Sequence, residues 1–339
     1  MVGRNILGKD RVGVCVIGLG IGLQHAQAYS GMERVDLFVC DTNAARVESA
    51  RRELKVAGAF ATIDAALSSS SVDAVDVSLP NSLHGPIAMA AAKNKKDCLV
   101  EKPVAISVAE AGRMWDASQS EGVLLAAGEN WQFSAFNLKA AEIIRSGQIG
   151  RVFLTSVLSE MWPIYFDRNS WWFDKKMTGG GVLLSAGVHA IRTLRMLAPS
   201  EITSVYALAS NSALGTETED TCVMTTQFAD GSIGSIIASW ATPHDDALFR
   251  VHGSKGSIIN RREGGLSVRS NVPNSELETK VEVDQVNTIA EECAAFVDSV
   301  RNGRVDKRIE FEGGRRDVEV AEAAYRSVAT GQAVKLPLS

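Results

Sequence analysis

Leu99-Val100-Glu101-Lys102-Pro103 sets a charged pair and a proline where an apolar, strand-like run ends. A lysine leaving the carboxyl end of a buried strand in a nucleotide-binding sheet points into the crevice where cofactor and substrate meet, so Lys102 is the first candidate for chemistry. Upstream, the apolar run Val12 to Ile17 leads into Gly18-Leu19-Gly20-Ile21-Gly22 and then a helical Leu23 to Ala28. Glycines there permit a tight turn and let backbone N–H groups reach a pyrophosphate at a helix N-terminus. The common fingerprint places its third glycine three residues after the second, whereas here the step is two. Asp41 directly follows the second strand-like run, where an acidic residue is placed to hydrogen-bond a ribose 2′-hydroxyl. A carboxylate there repels a 2′-phosphate and favours NAD over NADP. Arg46 is the counter-signal, able to swing toward a phosphate, but it reads as lying within a helix rather than beside the strand end.

The elements that must position these residues alternate as in parallel βαβ units up to about residue 128. Strands are expected at Val12 to Ile17, Val35 to Cys40, Ala57 to Ala61, Ala74 to Ser78, Cys98 to Val100 and Leu124 to Ala127, nearly continuous in apolar character as suits strands covered on both faces. Helices are expected over Thr42 to Leu54 and His84 to Asn94. Thr62 and Ser107 read as N-caps, the second with Glu110 three residues on. Beyond residue 150 the segments lengthen, with strands at Val152 to Leu158, Ile202 to Ala209, Thr221 to Phe228 and Ser232 to Trp240. The turn Ala229-Asp230-Gly231-Ser232 joins the last two as a hairpin. Helices at about Asn287 to Asn302 and Arg315 to Thr330 close the chain. The expected architecture is α/β: an N-terminal Rossmann domain over residues 1–128 with a doubly wound parallel sheet, then a C-terminal α/β domain over 129–339 with a large, open, mostly antiparallel sheet.

Composition narrows the classes. Hydrophobic residues make up 45% and charged residues 22% of the 339, the balance of an ordinary globular protein. A net charge of −5 argues against a partner held by phosphate contacts, so no nucleic-acid role is expected. Met1 to Asp10 is polar and basic, without the apolar core of a signal peptide, and no apolar run is long enough to span a bilayer. A cytoplasmic protein with no membrane role is expected. Cys15, Cys40, Cys98, Cys222 and Cys293 form no C-x-x-C pair and read as buried, reduced thiols. His244 and His252 lack a partner at metal-ligand spacing and read as structural or solvent-facing, and no metal is expected.

Taken together and in order, these residues resemble the glucose-fructose oxidoreductase and inositol dehydrogenase family, Gfo/Idh/MocA. The matches are the glycine turn with His25, Val72-Asp73-Ala74-Val75 leading to Pro80-Asn81-Ser82-Leu83-His84, and Glu101-Lys102-Pro103. They continue with Asn130-Trp131-Gln132-Phe133, Gly179-Gly180-Gly181, Gly187-Val188-His189 and the closing Val334-Lys335-Leu336-Pro337. The resemblance implies hydride transfer at a sugar or polyol carbon, a second domain whose open sheet often mediates oligomers (a homodimer or homotetramer here), and NAD bound by Gly18, Gly20, Ile21, Gly22, Asp41, Thr42, Pro80, Asn81, His84, Glu101 and Lys102. His84 lies either by the nicotinamide ribose or simply within its turn. In family dehydrogenases the lysine of the Glu-Lys-Pro motif, an aspartate and a histidine serve the reacting hydroxyl. By position these are Lys102, Ser185 and His189, so a serine stands where the aspartate is expected.

Residues 185 and 189 are neighbours on one helical face if the helix has begun by then. A serine hydroxyl can hydrogen-bond the imidazole but cannot stabilise its charged form as a carboxylate does. Arg192 either grips an anionic substrate group or pairs with a carboxylate at an interface. Trp162, Tyr165, Trp171 and Trp172 form an aromatic cluster suited to a sugar's apolar face, or to packing; Trp162 and Trp172 are the substrate-wall candidates, beside Lys102, His189 and Arg192. The leading expectation is an NAD-dependent oxidoreductase acting on a secondary hydroxyl or ketone of a carbohydrate. The alternatives are a glycosidase or lyase that oxidises a sugar ring transiently, and an NAD-binding sensor without turnover.

Overall fold

The structure is a computed structural model that describes residues 9–161, 170–242, 247–271 and 277–338. The chain divides into two units, the first formed by 1–130 and 287–316, the second by 131–286 and 317–339.

The first unit is built on a six-stranded parallel sheet of β1 (Val12–Ile17), β2 (Val35–Cys40), β3 (Val56–Phe60), β4 (Ala74–Val77), β5 (Asp97–Glu101) and β6 (Leu125–Gly128), ordered β3-β2-β1-β4-β5-β6. This is the doubly wound order, whose chain direction reverses between β1 and β4 and opens a crevice at the carboxyl ends of the strands. β1, β4, β5 and β6 are buried along their whole length, because helices cover both faces of a parallel sheet. The predicted caps form: Thr62 Oγ1 accepts from Ala65 N, and Ser107 Oγ accepts from Glu110 N while Glu110 Oε2 accepts from Ile106 N. The helix expected from Thr42 begins at Ala44, since Asn43 Oδ1 accepts from the N–H groups of Ala45 and Arg46 and so caps it. The helix Thr288–Asn302, which sequence order places in the second domain, packs with this unit, against β1 and the helix Gly22–Ser30.

The second unit carries a nine-stranded sheet of β7 (Val152–Glu160), β8 (Ile202–Ser210), β9 (Thr221–Phe228), β10 (Ile233–Ser239), β11 (Ala247–Gly253), β12 (Gly256–Arg261), β13 (Gly265–Ser270), β14 (Glu278–Val281) and β15 (Val334–Lys335). Its order is β14-β13-β12-β11-β7-β10-β9-β8-β15, and every pair is antiparallel except β7 with β10. The hairpin at Ala229–Ser232 closes as expected, with Phe228 N donating to Ser232 O. One face packs on the helix Gly187–Leu197 around a core that includes Trp240, Phe249 and Met224. Among the described residues no helix is long and apolar enough to cross a membrane.

The Ser107 cap starts the helix Val108–Glu121, which follows the segment carrying Lys102. Ser107→Ala is expected to lower stability by about 1 kcal/mol, read as a lower urea midpoint at unchanged slope.

Candidate active site

In the first unit, the crevice is lined first by the glycine turn. Gly18 has φ +95°, and a Cβ there would lie 2.4 Å from the Ser78 carbonyl oxygen, so backbone conformation and space both require glycine. Gly20 differs, because a Cβ on it would meet nothing within 4 Å. The fold does not demand glycine there, and its bare backbone leaves room for a group approaching from outside. The helix that follows, Gly22–Ser30, has no side-chain cap and no acidic residue in its first turn, so its N-terminal dipole is left for an anion.

Asp41 is tied to that turn. Its Oδ2 accepts from Leu19 N at 2.7 Å and its Oδ1 from Asn43 N at 2.7 Å, and the side chain is largely buried. The carboxylate is thereby held at the end of β2 with acceptor capacity left over for a ribose diol. Arg46 does reach the strand end, with Nη1 3.7 Å from Asp41 Oδ2 while it stays half-exposed. Thr42 is exposed beside Asp41, and Ile21 is exposed at the head of the turn. Pro80 precedes the short turn Asn81–Leu83, in which Asn81 is buried. Glycine turn, uncapped helix and anchored carboxylate together fit a dinucleotide.

Lys102 leaves β5 partly exposed, and the Glu101 carboxylate behind it is buried, Oε2 accepting from Lys102 N at 2.9 Å. Glu101 Oε1 lies 3.2 Å from Nε2 of His25, whose Nδ1 is 2.9 Å from Asp76 Oδ2. His84 has both ring nitrogens against backbone carbonyls, Nδ1 2.7 Å from Pro103 O and Nε2 2.8 Å from Leu79 O. This arrangement fits the second of the two expectations, a place within the turn: a fully buried ring with both nitrogens engaged staples the strand end of β4 to the Lys102-Pro103 turn. Burial holds its pKa below the ordinary value, against the pull of the two carbonyls.

In the second unit, Ser185 and His189 do not share a continuous helix. Ser185 ends the short helix Val182–Ser185, Ala186 interrupts it, and the helix bearing His189 starts at Gly187. Ser185 is buried, whereas the His189 ring is partly exposed and stacks on Trp131, with centroids 4.7 Å apart and planes 13° from parallel. That stack fixes the plane of the imidazole. Arg192 is corrected as a substrate clamp: it is buried, its Nε donates to Asp317 Oδ2 at 2.7 Å, its Nη2 is 2.6 Å from the same oxygen, and its Nη1 donates to Gln132 Oε1. Arg195 Nη1 takes the other Asp317 oxygen at 2.6 Å. A guanidinium so engaged holds the helix Gly187–Leu197 in place, with Asp317 of the same unit as the carboxylate rather than one across an interface.

Sequence reading missed Glu219 and Tyr325. The Glu219 carboxylate accepts from the N–H groups of Gly181 and Leu183 and from the Tyr325 hydroxyl at 2.7 Å, closing the N-terminus of the helix that leads to Ser185. Burial raises the Glu219 pKa against these bonds. Trp172 stacks on Trp171 at 4.5 Å between centroids and packs against the unit's core. Trp162, Tyr165 and His244 lie outside the described residues. His252 Nδ1 lies 2.9 Å from Ser257 Oγ. The five cysteines are buried without a disulfide, and burial pushes the thiols of Cys40 and Cys293 up to about 11, which leaves them inert as nucleophiles at neutral pH.

Comparison with known proteins agrees with both units. Residues 12–129 match an oxidoreductase family with an NAD-binding Rossmann fold, and residues 137–259 match a Gfo/Idh/MocA C-terminal domain. Among curated relatives, a 1,5-anhydro-D-fructose reductase of Ensifer adhaerens is 27% identical over 303 residues, covering 87% of this chain and 89% of the relative. A myo-inositol 2-dehydrogenase of Thermotoga maritima is 27% identical over 338 residues, covering 96% and 98%. Among solved structures, GenD2 from gentamicin A biosynthesis, in complex with NAD, superposes with a TM-score of 0.83 at 28% identity over 100% of both chains. The chain belongs to the Gfo/Idh/MocA family of oxidoreductases.

Proposed function

We propose that the chain is an NAD-dependent oxidoreductase that moves a hydride between the nicotinamide and a secondary hydroxyl or ketone carbon of a sugar, polyol or sugar derivative. The observation that carries this reading is the shared strand edge of the first unit, where the glycine turn, the anchored Asp41 and Lys102 all leave the carboxyl ends of parallel strands. Bound NAD would take up the hydride leaving the carbon. Lys102 would donate a hydrogen bond to the substrate oxygen as negative charge develops there, and His189 would accept the hydroxyl proton. The names of the relatives, a reductase and a dehydrogenase acting on a sugar derivative and a polyol, support the substrate class.

NAD rather than NADP is proposed because the Asp41 carboxylate is held in place by two backbone N–H groups and would face a 2′-phosphate directly. Arg46 offsets part of that charge only from a half-exposed position. Asp41→Ala is expected to narrow the preference, measured as the ratio of Kd values for the two cofactors. Tighter NADP binding by the unaltered protein would overturn the assignment.

The activity is tested by incubating the protein with NAD and a panel of sugars, sugar acids, polyols and glycosides while following NADH absorbance and product release. Stoichiometric NADH with one of them is expected, and Lys102→Ala should lower kcat by about a hundredfold or more. Release of a leaving group without net NADH would replace the reading with transient ring oxidation, and tight NAD binding with no product would replace it with a sensor.

A homo-oligomer is proposed from the outer face of the nine-stranded sheet. The register aligns Leu208, Val223, Ile237 and Leu158 in one row across β8, β9, β10 and β7, and the first three are 62%, 44% and 39% exposed. Phe153, Tyr206 and Ile233 are also exposed nearby. Such a contiguous apolar face suits a second copy of the same sheet under two-fold symmetry. Ile237→Asp with Leu208→Asp is expected to shift the mass in sedimentation from an oligomer to a single chain, and a native protein already of single-chain mass would overturn the proposal.

A further inference from the structure

Beneath Lys102 lies a buried cluster that the proposed reaction does not use. Asp76, in the middle of the wholly buried β4, has Oδ2 accepting from the Tyr29 hydroxyl at 2.9 Å and Oδ1 accepting from Ser78 Oγ at 2.8 Å. Three groups contact it, the third being His25 Nδ1 at 2.9 Å. On the opposite edge of the His25 ring lies a second carboxylate, with Nε2 3.2 Å from Glu101 Oε1, an ion-pair distance without hydrogen-bond alignment. A neutral imidazole has one N–H and would set a lone pair against one of the two carboxylates, so the geometry calls for both nitrogens to be protonated. Glu101 then passes the constraint on through its other oxygen, which receives the Lys102 backbone N–H at 2.9 Å.

We propose that His25 is a positioning residue for Lys102: bridging Asp76 and Glu101 as an imidazolium, it fixes the carboxylate that holds the lysine's backbone and so sets how Lys102 leaves β5. The inference rests on the role given to Lys102 above. Every neighbouring element contributes to the charge balance. Tyr29 comes from the same helix, Asp76 from β4, Glu101 from β5, Glu129 from just beyond β6, and Glu292 and Cys293 from the helix Thr288–Asn302. Burial alone would pull the imidazole down, but the Asp76 charge and the bonds to Asp76, Cys293 and Glu101 hold its pKa well above the ordinary value.

Glu292 is fully buried, and neither of its carboxylate oxygens has a hydrogen-bond partner among the described residues. Burial raises its pKa well above the usual 4.5, with Glu101 and Glu129 adding to the shift and His25 opposing it. Its carboxyl closes the cluster from the side of the helix Thr288–Asn302. The ligand atoms of His25, Glu101 and Glu292 lie within 4.8 Å of one another, as do those of His25, Asp76 and Cys293. With Nδ1 and Nε2 both carrying protons, neither nitrogen has a lone pair to give a metal ion.

The test uses the full-length protein and two measurements independent of turnover. In [15N]His-labelled protein both His25 nitrogens should carry protons at pH 7, and Glu101→Gln should make one proton easier to lose. By hydrogen–deuterium exchange, His25→Gln should speed exchange of the Lys102 amide by about tenfold, with exchange in β2 and in the second unit unchanged. Turnover gives the third readout: His25→Gln should lower kcat while leaving the KM for NAD unchanged, and adding Glu101→Gln should cause no further loss, because both act along one route. If His25→Gln fails to fold, Glu101→Gln alone must still speed exchange at Lys102. A singly protonated imidazole at pH 7, unchanged exchange at Lys102, or one equivalent of tightly bound divalent metal would each overturn the inference. Full turnover by Lys102→Ala would instead remove the functional reading, and the nitrogen and exchange data would still decide the positioning.

Discussion

A charge placed inside a parallel sheet must be answered from within, and in the first unit that requirement organises the site. Asp76 sits on β4, whose residues are all buried. An isolated carboxylate there would cost several kcal/mol in an apolar environment. Its partners arrive from the chain itself: Tyr29 and His25 from the helix after the glycine turn, and Ser78 from the strand's own end. The helix that would offer its N-terminus to a pyrophosphate is thus tied by two side chains to the strand beside it. The same histidine reaches Glu101, and through it the backbone of Lys102. Glycine turn and Lys102 are thus linked through one buried set of hydrogen bonds and a close His25–Glu101 ion pair.

The second unit solves a different problem, which is to present a histidine from a helix that begins abruptly. Glu219 supplies the acceptors that the N–H groups of Gly181 and Leu183 need, and Tyr325 holds Glu219 in turn. Gly180 and Gly181 follow from that packing, since a Cβ would fall 2.2 Å from the Tyr325 hydroxyl oxygen at one and 2.0 Å from the Glu219 carbonyl at the other. Further along, Asp317 binds Arg192 and Arg195, one helical turn apart, and fixes the helix on the side away from its start. The helix that carries His189 is therefore anchored through Arg192 and Arg195 and preceded by a capped short helix, and Trp131 sets the plane of its ring.

Much of this was legible in the residues alone, for reasons that also mark the limits. The strands of the first sheet read almost to the residue because burial on both faces leaves unbroken apolar runs, and Thr62 and Ser107 read as caps because cap chemistry is local. Asp41 read correctly as a strand-end acid for the same reason. The helix Thr288–Asn302 read as a helix, yet its amphipathic pattern says that one face is buried and not which sheet it covers. Arg192 stayed ambiguous because its partner lies 125 residues further along the chain. His84 stayed open between two readings because a polar ring at a helix start resembles a ligand contact until both nitrogens are seen against carbonyls. One missed signal was available. Asp76 interrupts an apolar strand expected to be covered on both faces, a position that demands a buried donor, and His25 was the motif residue without a role.

The break at Ala186 changes the meaning of the serine at position 185. Had Ser185 and His189 shared one helix, the hydroxyl would stand one turn from the imidazole, a weaker substitute for a carboxylate in the same place. Instead Ser185 is buried at the end of its own short helix, and the ring of His189 stacks on an indole. The histidine therefore stands without an acid at position 185. In the first unit the strand end that carries Lys102 has a buried carboxylate behind its backbone, a buried histidine on the next carbonyl, and a second buried histidine behind the carboxylate.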